Sequence, residues 1–111
     1  MSSEVKRASV QDTFKSLSEN KSAVMIDVRE DDEIAALATT VGKAFPMSRI
    51  NPATFDTDCG VSKTQPIYLF CRSGNRSMRV GTALLAAGFT ELTNVEGGII
   101  AWEAANLPLR K

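Results

Sequence analysis

The run Pro66-Ile67-Tyr68-Leu69-Phe70-Cys71 does most to limit what this chain can fold into. Its bulky residues follow one another without polar alternation, so a strand built from them needs cover on both faces. Proline at the entry is compatible with the first residue of a strand. Ala23-Val24-Met25-Ile26-Asp27-Val28 is a second short apolar run that ends in charge, and Thr90 to Val95 reads as a third strand. Segments of helical period lie between these runs. Ser9 with Asp12 marks an N-cap entry, Val10, Phe14 and Leu17 follow at helical spacing, and Asn20 to Ser22 close that helix. Glu30-Asp31-Asp32-Glu33 sets acid at the start of a second helix, where it suits the macrodipole, and Ile34 to Ala38 continue it. Met78, Val80, Ala83, Leu84 and Ala87 mark a third helix. Gly97-Gly98 lead into a last one over Ile99 to Ala105, closed by Asn106 and Pro108. Ala44 to Met47 reads as a short strand, and Ser48 to Lys63 carries only a helical turn around Pro52 to Asp56.

Strands alternating with helices predict an α/β fold with a central parallel sheet flanked by helices. A length of 111 residues fits a single domain over 1–111. In such sheets the ligand crevice lies beyond the carboxyl ends of the strands, where Asp27, Arg29 and Cys71 fall.

Charge narrows the function classes. Lys plus Arg and Asp plus Glu number 13 each, so net charge is zero and nothing points to nucleic acid or an anionic membrane. No apolar run approaches the roughly 20 residues of a membrane span. The start, MSSEVKRASV, lacks the apolar stretch of a secretory signal, so a cytoplasmic protein is expected. Cys59 and Cys71 match no zinc or CxxC spacing, and a reducing compartment keeps both as thiols. There is no histidine. Any nucleophile must therefore be activated without imidazole, and neither a metal nor a cofactor is expected.

The segment Cys71-Arg72-Ser73-Gly74-Asn75-Arg76-Ser77 carries the chemistry. A buried strand delivers a cysteine to the crevice, and a short loop turns directly into a helix. Gly74 and Asn75 accept unusual backbone angles, so successive N–H groups can turn inward as an anion nest. The following helix adds its positive end, and Arg72 and Arg76 add two full charges. All three effects favour a thiolate at Cys71, below the free value of about 8.5. A core cysteine would sit among apolar residues instead. Cys59, in Asp56-Thr57-Asp58-Cys59-Gly60, has acids beside it that raise a thiol pKa, and it reads as inert. This physics alone serves phosphate, arsenate or sulfur equally well.

The chain resembles a single-domain rhodanese, the family of persulfide-forming sulfurtransferases. Ile26-Asp27-Val28-Arg29-Glu30 is similar to the family's DVRE strand end, and CRSGNRS at Cys71 to Ser77 matches its active-site loop. Val95-Glu96-Gly97-Gly98-Ile99, with Trp102 and Leu107-Pro108, is similar to its closing motif. The likeness runs from about Ser9 to Pro108. Ala38 to Ala44 departs from it: many members carry a HIPGA-like stretch there, and here the histidine is lost while Gly42 keeps the small turn residue. Asn106 stands where glycine is frequent before Leu-Pro.

The resemblance implies a three-layer fold and a double displacement. Cys71 takes the outer sulfur of a small anionic donor such as thiosulfate and passes it to a thiol or protein acceptor. It also implies that the amides of Arg72, Ser73, Gly74, Asn75, Arg76 and Ser77 hold the persulfide, while Arg72 and Arg76 steer the donor. Asp27 and Arg29 either form a supporting ion pair or act directly. Trp102 reads as core. Related phosphatases place five residues between cysteine and arginine, against four here, which favours sulfur. A non-catalytic binding module, a phosphatase and an arsenate reductase are the competing readings, and a monomer is the expected state.

Overall fold

The computed structural model describes residues 4–110. In chain order it runs β1 (Lys6–Ala8), α1 (Val10–Glu19), β2 (Val24–Asp27), α2 (Asp31–Ala36), β3 (Ala38–Thr39) and β4 (Lys43–Ala44). It continues with α3 (Phe55–Cys59), β5 (Ile67–Phe70), α4 (Asn75–Ala86), β6 (Leu92–Val95), α5 (Gly98–Ala104) and β7 (Leu109–Arg110). Five strands form one parallel sheet in the order β1-β6-β5-β2-β4. β3 and β7 make a small antiparallel pair beside it.

The apolar run from Pro66 to Cys71 lies at the centre of the sheet. Met25 pairs with Tyr68, and Leu69 with Asn94, so β5 is flanked on both edges and covered on both faces. Alternation then divides its side chains. Ile67, Leu69 and Cys71 pack with Phe55, Val80 and Leu84 of α3 and α4. Tyr68 and Phe70 pack with Val10, Phe14 and Trp102 of α1 and α5. Trp102 is core, as expected: it stands edge-on to Phe14 and Phe70 at centroid distances of 5.7 and 5.6 Å, and its indole N–H donates to the Pro108 carbonyl. The Ser9 cap is also present, its hydroxyl oxygen accepting from the Asp12 N–H at 3.1 Å.

Several boundaries differ from the sequence expectation. β1 went unseen because its pairing with β6 is made by backbone at a sheet edge, with no apolar pattern in Lys6-Arg7-Ala8. Ala38 leaves α2 for β3, since Leu37 already turns extended at φ −159°. The expected strand at Ala44 to Met47 is displaced to Lys43–Ala44, and Met47–Arg49 is a 3-10 turn. The turn expected at Pro52 to Asp56 is a helix at Phe55–Cys59. α4 starts three residues early, at Asn75.

One contact fixes the end of β5. The first turn of α5 points its N–H groups at the strand's exit: Ile99 donates to the Cys71 carbonyl at 2.9 Å, and Ile100 to the Arg72 carbonyl at 3.3 Å. Gly98 permits the approach. Its φ is +51°, and a Cβ there would lie 2.2 Å from the Cys71 carbonyl oxygen and 2.7 Å from the Arg72 carbonyl. Backbone on backbone has nowhere to yield. Gly98→Ala is therefore expected to cost about 2–4 kcal/mol, seen as a fall of roughly 10 °C in the thermal midpoint. A midpoint unchanged from wild type would show that the contact is looser than this.

Candidate active site at the head of β5

Cys71 follows β5 directly and is 1% exposed, within the core. What sets it apart is its donors. The Gly74 N–H donates to Cys71 Sγ at 3.0 Å, and Ser77 Oγ lies 3.2 Å from the same sulfur. Gly74 makes the turn at φ +106°, a conformation that a side chain would strain. Asn75, also expected in an unusual conformation, is instead the first residue of α4. That early start places Arg76 and Ser77 in the first helical turn, so Ser77 faces the sulfur.

These contacts decide the ionisation. Burial pushes the Cys71 thiol up. The Ser77 hydroxyl and the backbone N–H groups of Ser77, Gly74 and Ser73 pull it down and prevail, so its pKa lies below the ordinary thiol value. Arginine charge is not among those leading causes. Arg72 is exposed, and Arg76 is engaged by Glu33, Nη1 to Oε2 at 3.0 Å. Cys59 is the internal contrast. Burial pushes it up to about 11, with Asp58 contributing least, so the sequence expectation of an inert thiol stands but its main cause is burial.

Asp27 and Arg29 face each other. Arg29, 3% exposed, donates Nη2 to Asp27 Oδ2 at 2.8 Å and Nε to both carboxylate oxygens. Its remaining donors reach the Leu37 carbonyl at 2.8 Å and the Glu33 carbonyl at 3.4 Å, at the end of α2. The pair thus ties β2 to α2, with four of the five guanidinium N–H groups engaged there and none donating to the sulfur. Glu33 in turn closes a capping box at the start of α2, so that helix positions the carboxylate that meets Arg76.

Asn94 lies just outside the closing motif, which begins at Val95, yet from β6 it donates Nδ2 to the Gly74 carbonyl at 3.1 Å and sets Oδ1 against Ser77 Oγ. A polar residue in the otherwise apolar register of a buried strand was the available signal. A polar cleft of about 190 Å³ borders the loop between Arg7, Ser73, Asn94 and Glu96. A larger, more apolar cavity of about 440 Å³ lies away from Cys71, against α1 and β2.

The model of the rhodanese-like domain matches residues 10–105. The chain belongs to the rhodanese-like domain family. It is 34% identical over 105 residues to a putative sulfurtransferase of Bacillus subtilis, covering 95% of this chain and 97% of that one. It is also 34% identical over 99 residues to an uncharacterized protein of Synechocystis, covering 89% of this chain but spanning only 53% of that protein. Among solved structures, the polysulfide-sulfur transferase homodimer of Wolinella succinogenes superposes with a TM-score of 0.77 at 28% identity, covering 96% of this chain and 78% of that one. The rhodanese-like fold inferred from the motifs is thus the fold observed.

The two cysteines make the electrostatic reading measurable. Near neutral pH, Cys71 is expected to react with iodoacetamide more than about 100-fold faster than Cys59, because hydrogen-bond donors lower the Cys71 pKa whereas burial raises that of Cys59 to about 11. Its rate falls as pH drops through its lowered pKa and levels off above it. Similar labelling of the two residues, read by peptide mass, would contradict this.

Proposed function

We propose that this rhodanese-like domain is a sulfurtransferase that carries a sulfane sulfur as a persulfide on Cys71. The observation that supports the reading most is the sulfur's set of donors, which favours a thiolate without imidazole. Relatives named as sulfur transferases add to it.

The reaction runs in two displacements. The Cys71 thiolate attacks the outer sulfur of a donor such as thiosulfate. The Sγ–S bond forms, the donor's S–S bond breaks, and its electron pair leaves on sulfite. The negative charge now sits on the terminal sulfur, within reach of the loop N–H groups from Arg72 to Ser77. A thiophile, either cyanide in an assay or a thiol of a small molecule or protein, then attacks that terminal sulfur. The Sγ–S bond breaks and Cys71 departs as thiolate. A lowered thiol pKa serves both halves, because a weaker base is the better leaving group. An anionic donor approaching Arg76 displaces Glu33 from it, so the guanidinium acts as an exchangeable counter-charge. Asp27 and Arg29 support α2 and take no part in bond making. The assignment to a reducing cytoplasm agrees with two free buried cysteines. No helix among the described residues is long and apolar enough to cross a membrane.

Intact mass after incubation with thiosulfate tests the reading. Wild type and Cys59→Ser gain about one sulfur atom, removable by cyanide, and Cys71→Ser gains none. A wild type that takes no sulfur from thiosulfate, polysulfide or a low-molecular-weight persulfide would overturn it, as would faster turnover of an aryl phosphate or arsenate.

A further inference from the structure

The hydrogen bonds around Cys71 require a proton count. Asn94 is 5% exposed and donates Nδ2 to the Gly74 carbonyl. Turning its amide over would set two carbonyl oxygens together, so Oδ1 faces Ser77 Oγ. Oδ1 bears no hydrogen, and the Ser77 hydroxyl must be the donor in that contact. That hydroxyl has a single proton. It cannot also be given to Cys71 Sγ at 3.2 Å.

When Cys71 is a thiol the chain closes without conflict: S–H donates to Ser77 Oγ, and Ser77 O–H donates to Asn94 Oδ1. When Cys71 is a thiolate, two acceptors want one proton. The charged acceptor binds it more strongly, so the hydroxyl turns to sulfur and leaves Oδ1 facing a bare oxygen lone pair. In a persulfide the charge has moved to the outer sulfur. Sγ is then neutral, and the hydroxyl returns to Asn94.

We propose that Asn94 is a positioning residue for Cys71, forming with Ser77 a two-position hydroxyl switch that follows the charge on Sγ. Oδ1 holds the Ser77 proton whenever the sulfur is neutral and yields it when the sulfur is charged. Asn94 thereby favours thiol and persulfide over thiolate, while its Nδ2 keeps Gly74, the thiolate's backbone donor, in place. No bond to hydrogen breaks in the switch; the O–H only rotates. Its place in a catalytic cycle rests on the sulfurtransferase reading, but the switch itself needs no donor. Failure to accept sulfur would remove that reading and leave the titration below intact.

Charged neighbours are few, and none of them is altered by the alanine substitutions of the test; Arg72 beside Cys71 is exposed. Arg76 on α4 couples to the Cys71 charge and is paired with Glu33 of α2. Asp27 and Arg29 at the end of β2 neutralise each other, and the first turn of α5 carries no acid. Glu96, after β6, is exposed.

The test is a double-mutant cycle read by ultraviolet thiolate titration, with the matching Cys71→Ser protein subtracted from each variant. The Asn94→Ala shift in the Cys71 pKa is expected to lie about one unit lower with Ser77 present than in the Ser77→Ala background. Any change from loosening Gly74 is common to both backgrounds and cancels. If Asn94→Ala does not fold, Asn94→Asp reads the same switch in reverse. Its carboxylate holds the proton harder, and its upward shift is larger with Ser77 than without. Equal shifts in the two backgrounds, or a difference of opposite sign, overturn the proposal.

Discussion

Two hydrogen bonds from the first turn of α5 to the carbonyls of Cys71 and Arg72 organise the site. A peptide plane has two sides. Holding these carbonyls toward α5 leaves the amides that follow free to turn toward the sulfur, and Gly74 completes the turn. The two ends of the family motif, far apart in sequence, are therefore one device. Gly98 is where they touch, and its missing Cβ is what lets backbone meet backbone.

The same fold shows what a cysteine becomes without that device. Cys59 is buried on α3 among apolar side chains, and burial there raises its pKa to about 11. Cys71 is buried more deeply, and still its pKa lies below the ordinary value. Depth does not separate them. Donors do: one thiol has an N–H and a hydroxyl within hydrogen-bond reach, and the other packs against phenyl and aliphatic groups. The polar side chains that build this environment are themselves anchored. Asn94 reaches back from β6 to the Gly74 carbonyl, and the Asp27–Arg29 pair secures α2, which brings Glu33 to Arg76.

Much of this was legible in the sequence because it depends on local patterns. The apolar run into Cys71, the Ser9 cap and the glycine-bearing loop each signal an element without reference to distant partners. The parallel order followed from strands alternating with helices. What escaped depends on partners far along the chain. β1 exists only through its backbone pairing with β6, and β3 exists only through β7. Glu33 reads as a helix-start acid until α2 is docked beside α4, and then it occupies the arginine assigned to an anion. Asn94 looks like an interruption in a strand until the loop folds over it. The arginines stand out in the sequence more than in the site for a similar reason: a formal charge is visible in sequence, whereas the direction of an N–H is not.

The central claim is that backbone and hydroxyl donors, rather than arginine charge, draw the Cys71 pKa below the ordinary thiol value. The most direct measurement is the Cys71 pKa in a variant carrying Arg72→Gln, Arg76→Gln and Glu33→Gln, which removes the flanking charges and leaves the loop backbone in place. The account predicts that Cys71 still titrates below the free-thiol value of about 8.5. A pKa at or above that value would contradict it and return the activation of Cys71 to the arginines.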